Sequence, residues 1–193
     1  MTKFVDIHHE PNKMLTLPDD FVEVARDLRP RNHKTVTVIR YQRAGKVVPN
    51  NAHVTVIFGN DGRLLSYNNF SIDSDAPLPR GEEALQIAQQ TFESIDPNFA
   101  RHLRFMRIDK QTRTFTEGGR TVQTPILWVK FSHRNGSYNW VSVGPGGQIV
   151  EVERDSRWNY LLSRRSTEEW NFDDWVLVRE GKRRQLPAPQ PLG

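Results

Sequence analysis

The sequence predicts an α+β fold: two tandem units, each a helix packed on an antiparallel β-sheet, followed by a tryptophan-rich C-terminal extension. Three observations point there. Apolar residues recur twice at helical spacing, each time ahead of β-rich runs. Each set of runs ends in a hairpin with a glycine turn, at Gly62 and at Gly147. Superposing those two glycines, 85 positions apart, aligns Val56 with Val141, Phe58 with Val143, Leu65 with Val150 and Tyr67 with Val152, the pattern of an internal duplication.

The first unit is expected over residues 18–73, after an N-terminal segment of residues 1–17. Phe21, Val24, Ala25 and Leu28 fall at helical spacing, Asp19 and Asp20 stand where a helix N-terminus favours anions, and Pro30 stops the run. Residues 35–41 and 53–58 are β-branched and read as strands. Asn60-Asp61-Gly62 then supplies a tight turn into a returning strand at 63–67.

Ser74 to Arg80, with prolines at 77 and 79, is the joint. The second unit spans 81–155: a helix over about 82–94 with Leu85, Ala88, Gln89 and Phe92 on one face, closed by Asp96-Pro97, then strands at 103–109, 112–116, 126–133, 138–143 and 148–153. Residues 156–184 form the extension, in which Ser166 and Glu169 fit a capping box. Residues 185–193 read as a flexible Pro-rich tail.

The helix Glu82-Glu83-Ala84-Leu85-Gln86-Ile87-Ala88, followed by strands that end in the hairpin Trp140-Val141-Ser142-Val143 to Gln148-Ile149-Val150-Glu151-Val152, resembles PepSY domains. The resemblance covers residues 18–70 and 81–155. It implies small cystatin-like α+β modules in tandem, of a family associated with inhibiting or chaperoning proteases, and it brings no catalytic motif to this chain.

Composition narrows the chemistry. The 193 residues include no cysteine, which removes disulfides, thiol nucleophiles and cysteine metal sites. No apolar run approaches the roughly 18 residues of a membrane span, and the first ten residues lack the apolar core of a signal peptide, so a soluble cytoplasmic protein without a membrane partner is expected. The 27 basic against 23 acidic side chains leave a net charge of +4, mild for a nucleic-acid binder.

His8-His9-Glu10 has metal-ligand residue types, but adjacent histidines on a strand point apart, and a flexible polar segment is the expectation. The pairs Asp19-Asp20, Glu82-Glu83, Glu168-Glu169 and Asp173-Asp174 lack the separation that acid–base catalysis needs. Gly144-Pro145-Gly146-Gly147 runs from strand to strand and is a hairpin turn, not a phosphate loop. No catalytic residue, metal or cofactor is assigned.

One pattern remains. With Leu127, Val129 and Phe131 facing the core, the other side of the second sheet carries Trp128, Lys130, Tyr138, Trp140 and Glu151, beside Ser142, Ile149 and Glu153. These make a candidate ligand face, which the C-terminal Trp158, Tyr160, Leu161, Leu162, Trp170 and Trp175 are expected to cover, unless two copies of the chain share it. The expected function is non-enzymatic binding of a peptide or protein, including a second copy as a homodimer, at a sheet edge near Trp128 and Trp140 or between the units. The runner-up is single-stranded nucleic-acid binding through basic charge and the aromatic face.

Overall fold

Two-residue turns set the first half of the molecule. The computed structural model describes residues 3–43 and 45–193. His8 and His9 both take positive φ, 53° and 69°, and join β1 (Lys3–Ile7) to β2 (Glu10–Leu17) with Ile7 opposite Glu10. A mirror-image turn of this kind matches the twist of antiparallel strands. The histidine pair is therefore the corner of an ordered hairpin, with Val5, Ile7, Leu15 and Leu17 buried beneath it.

The same device corrects the expected first helix. Asn32 and His33, at φ 50° and 63°, fold β3 (Phe21–Arg31) back on β4 (Lys34–Arg43) with Arg31 opposite Lys34. Residues 21–28 are thus strand, and Leu28, placed by helical spacing in the core, is 73% exposed. The segment's apolar pattern fits either period, and pairing with the β-branched β4 outweighs a weak helical preference.

β5 (His53–Gly59) and β6 (Leu64–Phe70) form the next hairpin. After the joint come α1 (Gly81–Ile95) and the single turn α2 (Pro97–Ala100), then β7 (Leu103–Glu117), β8 (Arg120–His133), β9 (Tyr138–Val143) and β10 (Ile149–Ser156). β7 runs unbroken through the gap expected near residue 110. All eight strands from β3 to β10 belong to one antiparallel sheet in the order β3-β4-β5-β6-β10-β9-β8-β7.

Two independent helix-on-sheet units are therefore not what forms. The two four-strand meanders fuse through β6 and β10, where Ser66, Tyr67 and Asn68 face Glu153, Val152 and Glu151. Helices precede the strands in the second meander only, and most of the chain is strand.

The turns at Gly62 and Gly147 do have the same bonding. Gly59 N–H donates to Arg63 O and Gly62 N–H to Gly59 O; Gly144 N–H donates to Gln148 O and Gly147 N–H to Gly144 O. Gly62 and Gly147 sit at φ 76° and 78°, where a side chain would be strained.

One face of the sheet carries the main core. Ala84, Ala88, Phe92 and Ile95 of α1, which keep Ala88 and Phe92 of the expected stripe while Gln89 faces water, lie with the β1–β2 hairpin on Val56, Tyr67, Val129, Val141 and Val152. The small alanines let the helix come close to the sheet. Among the described residues no helix is long and apolar enough to cross a membrane.

The other face is covered over part of its width by the C-terminal segment, with β11 (Trp158–Asn159), β12 (Arg164–Arg165) and α3 (Asp173–Arg179). The capping-box expectation at Ser166 is corrected: the helix begins at Asp173, while Ser166 N–H bonds Arg157 O and Glu169 is spent on a buried ion pair. Trp170 and Trp175 meet edge-to-face at 4.9 Å over Val36, Ile57 and Leu65. The Pro-rich tail lies against this layer, with Arg165 N–H bonded to Pro189 O and Trp175 Nε1–H to Leu192 O.

Charges hold the layer as much as apolar area does. Glu153 is 1% exposed and accepts from Arg31 and Arg165, each at 2.6 Å. Arg165 also pairs with buried Glu169 at 2.9 Å, and Arg40 reaches Asp173 with two bonds of 2.5 and 2.8 Å.

Two stability predictions follow from this layer. Trp175→Ala costs about 3–5 kcal/mol in urea unfolding, the usual loss for a buried aromatic. Glu153→Leu strips Arg31 of its carboxylate and costs about 3–5 kcal/mol. Adding Arg31→Met returns most of that loss, because the penalty is the orphaned charge.

Candidate functional site

Strand alternation places Trp128 and Lys130 of β8 opposite the core face, and the β8–β9 register sets Lys130 against Trp140 and Trp128 against Ser142. Trp128 and Trp140 lie 5.3 Å apart between ring centroids, tilted by 54°. The Lys130 ammonium stands 4.1 Å from the Tyr138 ring centre and 5.3 Å from that of Trp128. Arg107 of β7 caps Trp128 at 5.7 Å, and Arg165 from the C-terminal segment caps Trp140 at 5.2 Å. Partial burial, with Arg107 nearby, holds the Lys130 amine below its usual value, partly opposed by Asp109.

Four of the five expected site residues therefore form one half-buried aromatic and cationic patch. The fifth, Glu151, shares the face but is sealed beneath it. It is 1% exposed, holds Arg113 through bonds of 2.7 and 2.9 Å, and accepts from Ser142 Oγ–H. Ile149, expected on this face, joins the main core because the β9–β10 register shifts between Ile149 and Glu151.

The C-terminal layer reaches this patch at Arg165 and Tyr160, whose hydroxyl lies 2.5 Å from that of Tyr138. Past it, β7 is an edge strand of the sheet. The far end of that edge is closed, since Thr116 N–H donates to Asn50 O and Thr116 O accepts from Ala52 N–H. Residues two apart on a strand present their backbone to the same side, and the β7–β8 register is unbroken from Arg107 to Glu117. Thr114, Thr112 and Lys110 therefore turn their N–H and C=O groups outward, and among the described residues no other backbone group meets them.

The strip beside this edge is basic: Arg104, Arg107, Lys110 and Lys130 accompany Asp109, which is itself bonded to Arg107 at 2.7 Å. Sequence reading missed the β7 members. Their signal was a long strand carrying cations on both faces, which marks an edge.

The remaining chemistry is sparse. Among the described residues no three His, Asp or Glu side chains converge as metal ligands. The other buried polar cluster surrounds His53, whose Nδ1–H donates to Asn51 O at 2.7 Å, leaving Nε2 buried with no hydrogen-bond partner. Burial, assisted by the Arg40 guanidinium and opposed by Asp173, drives this imidazole down to about 4.

That cluster predicts an acid-labile fold. Between pH 6.5 and 4 the unfolded chain binds a proton at His53 that the folded chain refuses. Stability therefore falls as pH drops through this window, by about 3 kcal/mol for the full shift. Asp173, held below the usual carboxylate range despite its burial by its bond from Arg40, adds its loss only below about pH 4. Urea unfolding across the pH series measures the slope, and His53→Phe should flatten it above pH 4.

No family model, curated protein or solved structure matches this chain, so what it binds has to be inferred from this surface.

Proposed function

We propose that the chain is a non-enzymatic binding module that takes an extended, acidic segment of a partner protein as an added strand on β7. The observation that carries this reading is the open stretch at Lys110, Thr112 and Thr114 beside the Trp128–Lys130–Tyr138–Trp140 patch. An added strand would satisfy those backbone groups, and its side chains on one face would lie beside Arg107 and Asp109 of β7, at the margin of the aromatic patch, the usual division between affinity and specificity in strand addition. The basic strip favours carboxylates at the same positions.

Single-stranded nucleic acid fits the charge but not the rings. Base stacking needs an open aromatic face, whereas Trp128 is engaged by Trp140, Arg107 and Lys130, and Trp140 by Trp128 and Arg165.

A random peptide display library tests the proposal against a pool of labelled single-stranded oligonucleotides. Enriched peptides should be acidic, and Trp128→Ala or Arg104→Glu should weaken them about tenfold or more. Thr112→Pro removes one outward N–H while leaving the β8 ladder intact, so it should abolish peptide binding without lowering thermal stability. Peptide binding indifferent to Thr112→Pro, or tight oligonucleotide binding that falls steeply with salt while no peptide is enriched, would reject the reading.

A further inference from the structure

The apex of the C-terminal layer is apolar and stands in water. The turn between β11 and β12 exposes Tyr160, Leu161 and Leu162 by 73%, 97% and 53%. Three consecutive large apolar side chains at a hairpin tip are not the scattered surface hydrophobes of an ordinary protein. The tip is also built. Leu162 N–H donates to Asn159 Oδ1 at 3.1 Å, Ser163 takes φ 49° and bonds back to Tyr160 O, and the Tyr160 hydroxyl is tied to Tyr138.

The charge around it has one dominant sign. The tip lies at the end of the sheet that holds the β8–β9 turn, because Arg157 donates to Asn135 O within that turn at 2.6 Å. Arg134 occupies the same turn, and Lys130 packs on Tyr138. Ser132 pairs with both Tyr138 and Arg104, which brings Arg104 into the adjoining row. Asp155, bonded to Asn135, is the acid within this row, and Glu168 and Asp61 lie further along the same cleft, where Asn32 N–H and Arg63 engage them.

We propose that this end docks the protein on an anionic lipid surface, with Leu161 and Leu162 entering the headgroup–acyl boundary and the arginines meeting lipid headgroups. An apolar anchor gives marginal attachment unless a second signal joins it, and a basic rim is such a signal. Tyr160 and Tyr138 suit the boundary, since a phenol has an apolar body and a wet tip. The expectation of no membrane partner rested on spanning segments, and a tip that dips into one leaflet needs none.

The test is co-sedimentation of the full chain with vesicles of phosphatidylcholine alone and of phosphatidylcholine mixed with phosphatidylserine. Binding should be confined largely to the mixed vesicles and should weaken with added salt. Leu161→Asp with Leu162→Asp should reduce it about tenfold or more while leaving thermal stability unchanged, because both side chains are exposed. Arg134→Glu should reduce it independently. Failure to bind the mixed vesicles overturns the proposal, as does binding that the double substitution leaves intact. A concentration-dependent dimer abolished by the same double substitution would also overturn it, by making the tip a contact between copies. Peptide binding on β7 is a separate matter: Thr112→Pro should leave vesicle binding unaltered.

Discussion

Two carboxylates on a central strand constrain the whole molecule. β10 is paired on both sides, with Val150 and Val152 facing the main core and Glu151 and Glu153 facing the opposite way, both 1% exposed. A buried unpaired carboxylate is too costly to keep, so each must be met by a cation brought from elsewhere in the chain. Arg113 arrives from the edge strand β7, Arg31 from the end of β3 and Arg165 from the C-terminal segment. The reach of these guanidiniums ties the two meanders to each other and to the layer above them.

This arrangement accounts for the asymmetry of the second face. The cover is anchored where the carboxylates are, over β10 and the β4–β6 side, and there Trp170 and Trp175 find Val36, Ile57 and Leu65. Beyond Arg165 and Tyr160 it ends. Trp128, Lys130 and Tyr138 on β8 and β9 remain half-buried, and among the described residues the outward backbone groups in the middle of β7 meet no other backbone group. The proposed strand-binding edge and the proposed lipid-facing tip are both margins of the same cover.

Much of the local structure was legible beforehand. β4, β5, β6, α1 and the β9–β10 hairpin follow from period and turn chemistry, and alternation alone put Trp128 opposite Val129. Two errors have distinct causes. Residues 21–28 carry apolar residues compatible with either period, and the deciding element was the turn at Asn32-His33, where two non-glycine residues sit at positive φ. Glu151 was placed on the right face but read as a ligand-binding residue. Nothing local in the sequence shows that Arg113, 38 positions away, lies on it.

By itself, then, the sequence determined the strands β4, β5, β6 and β9, the glycine turns at Gly62 and Gly147, the helix α1 and the alternation of β8, because those depend on neighbours within a few residues. Tertiary structure decided that both meanders fuse into one sheet, which carboxylates are buried, and how far the C-terminal layer reaches. Those outcomes depend on pairing between strands distant along the chain and on the neutralisation of charge removed from water, and neither leaves a periodic signature in the sequence.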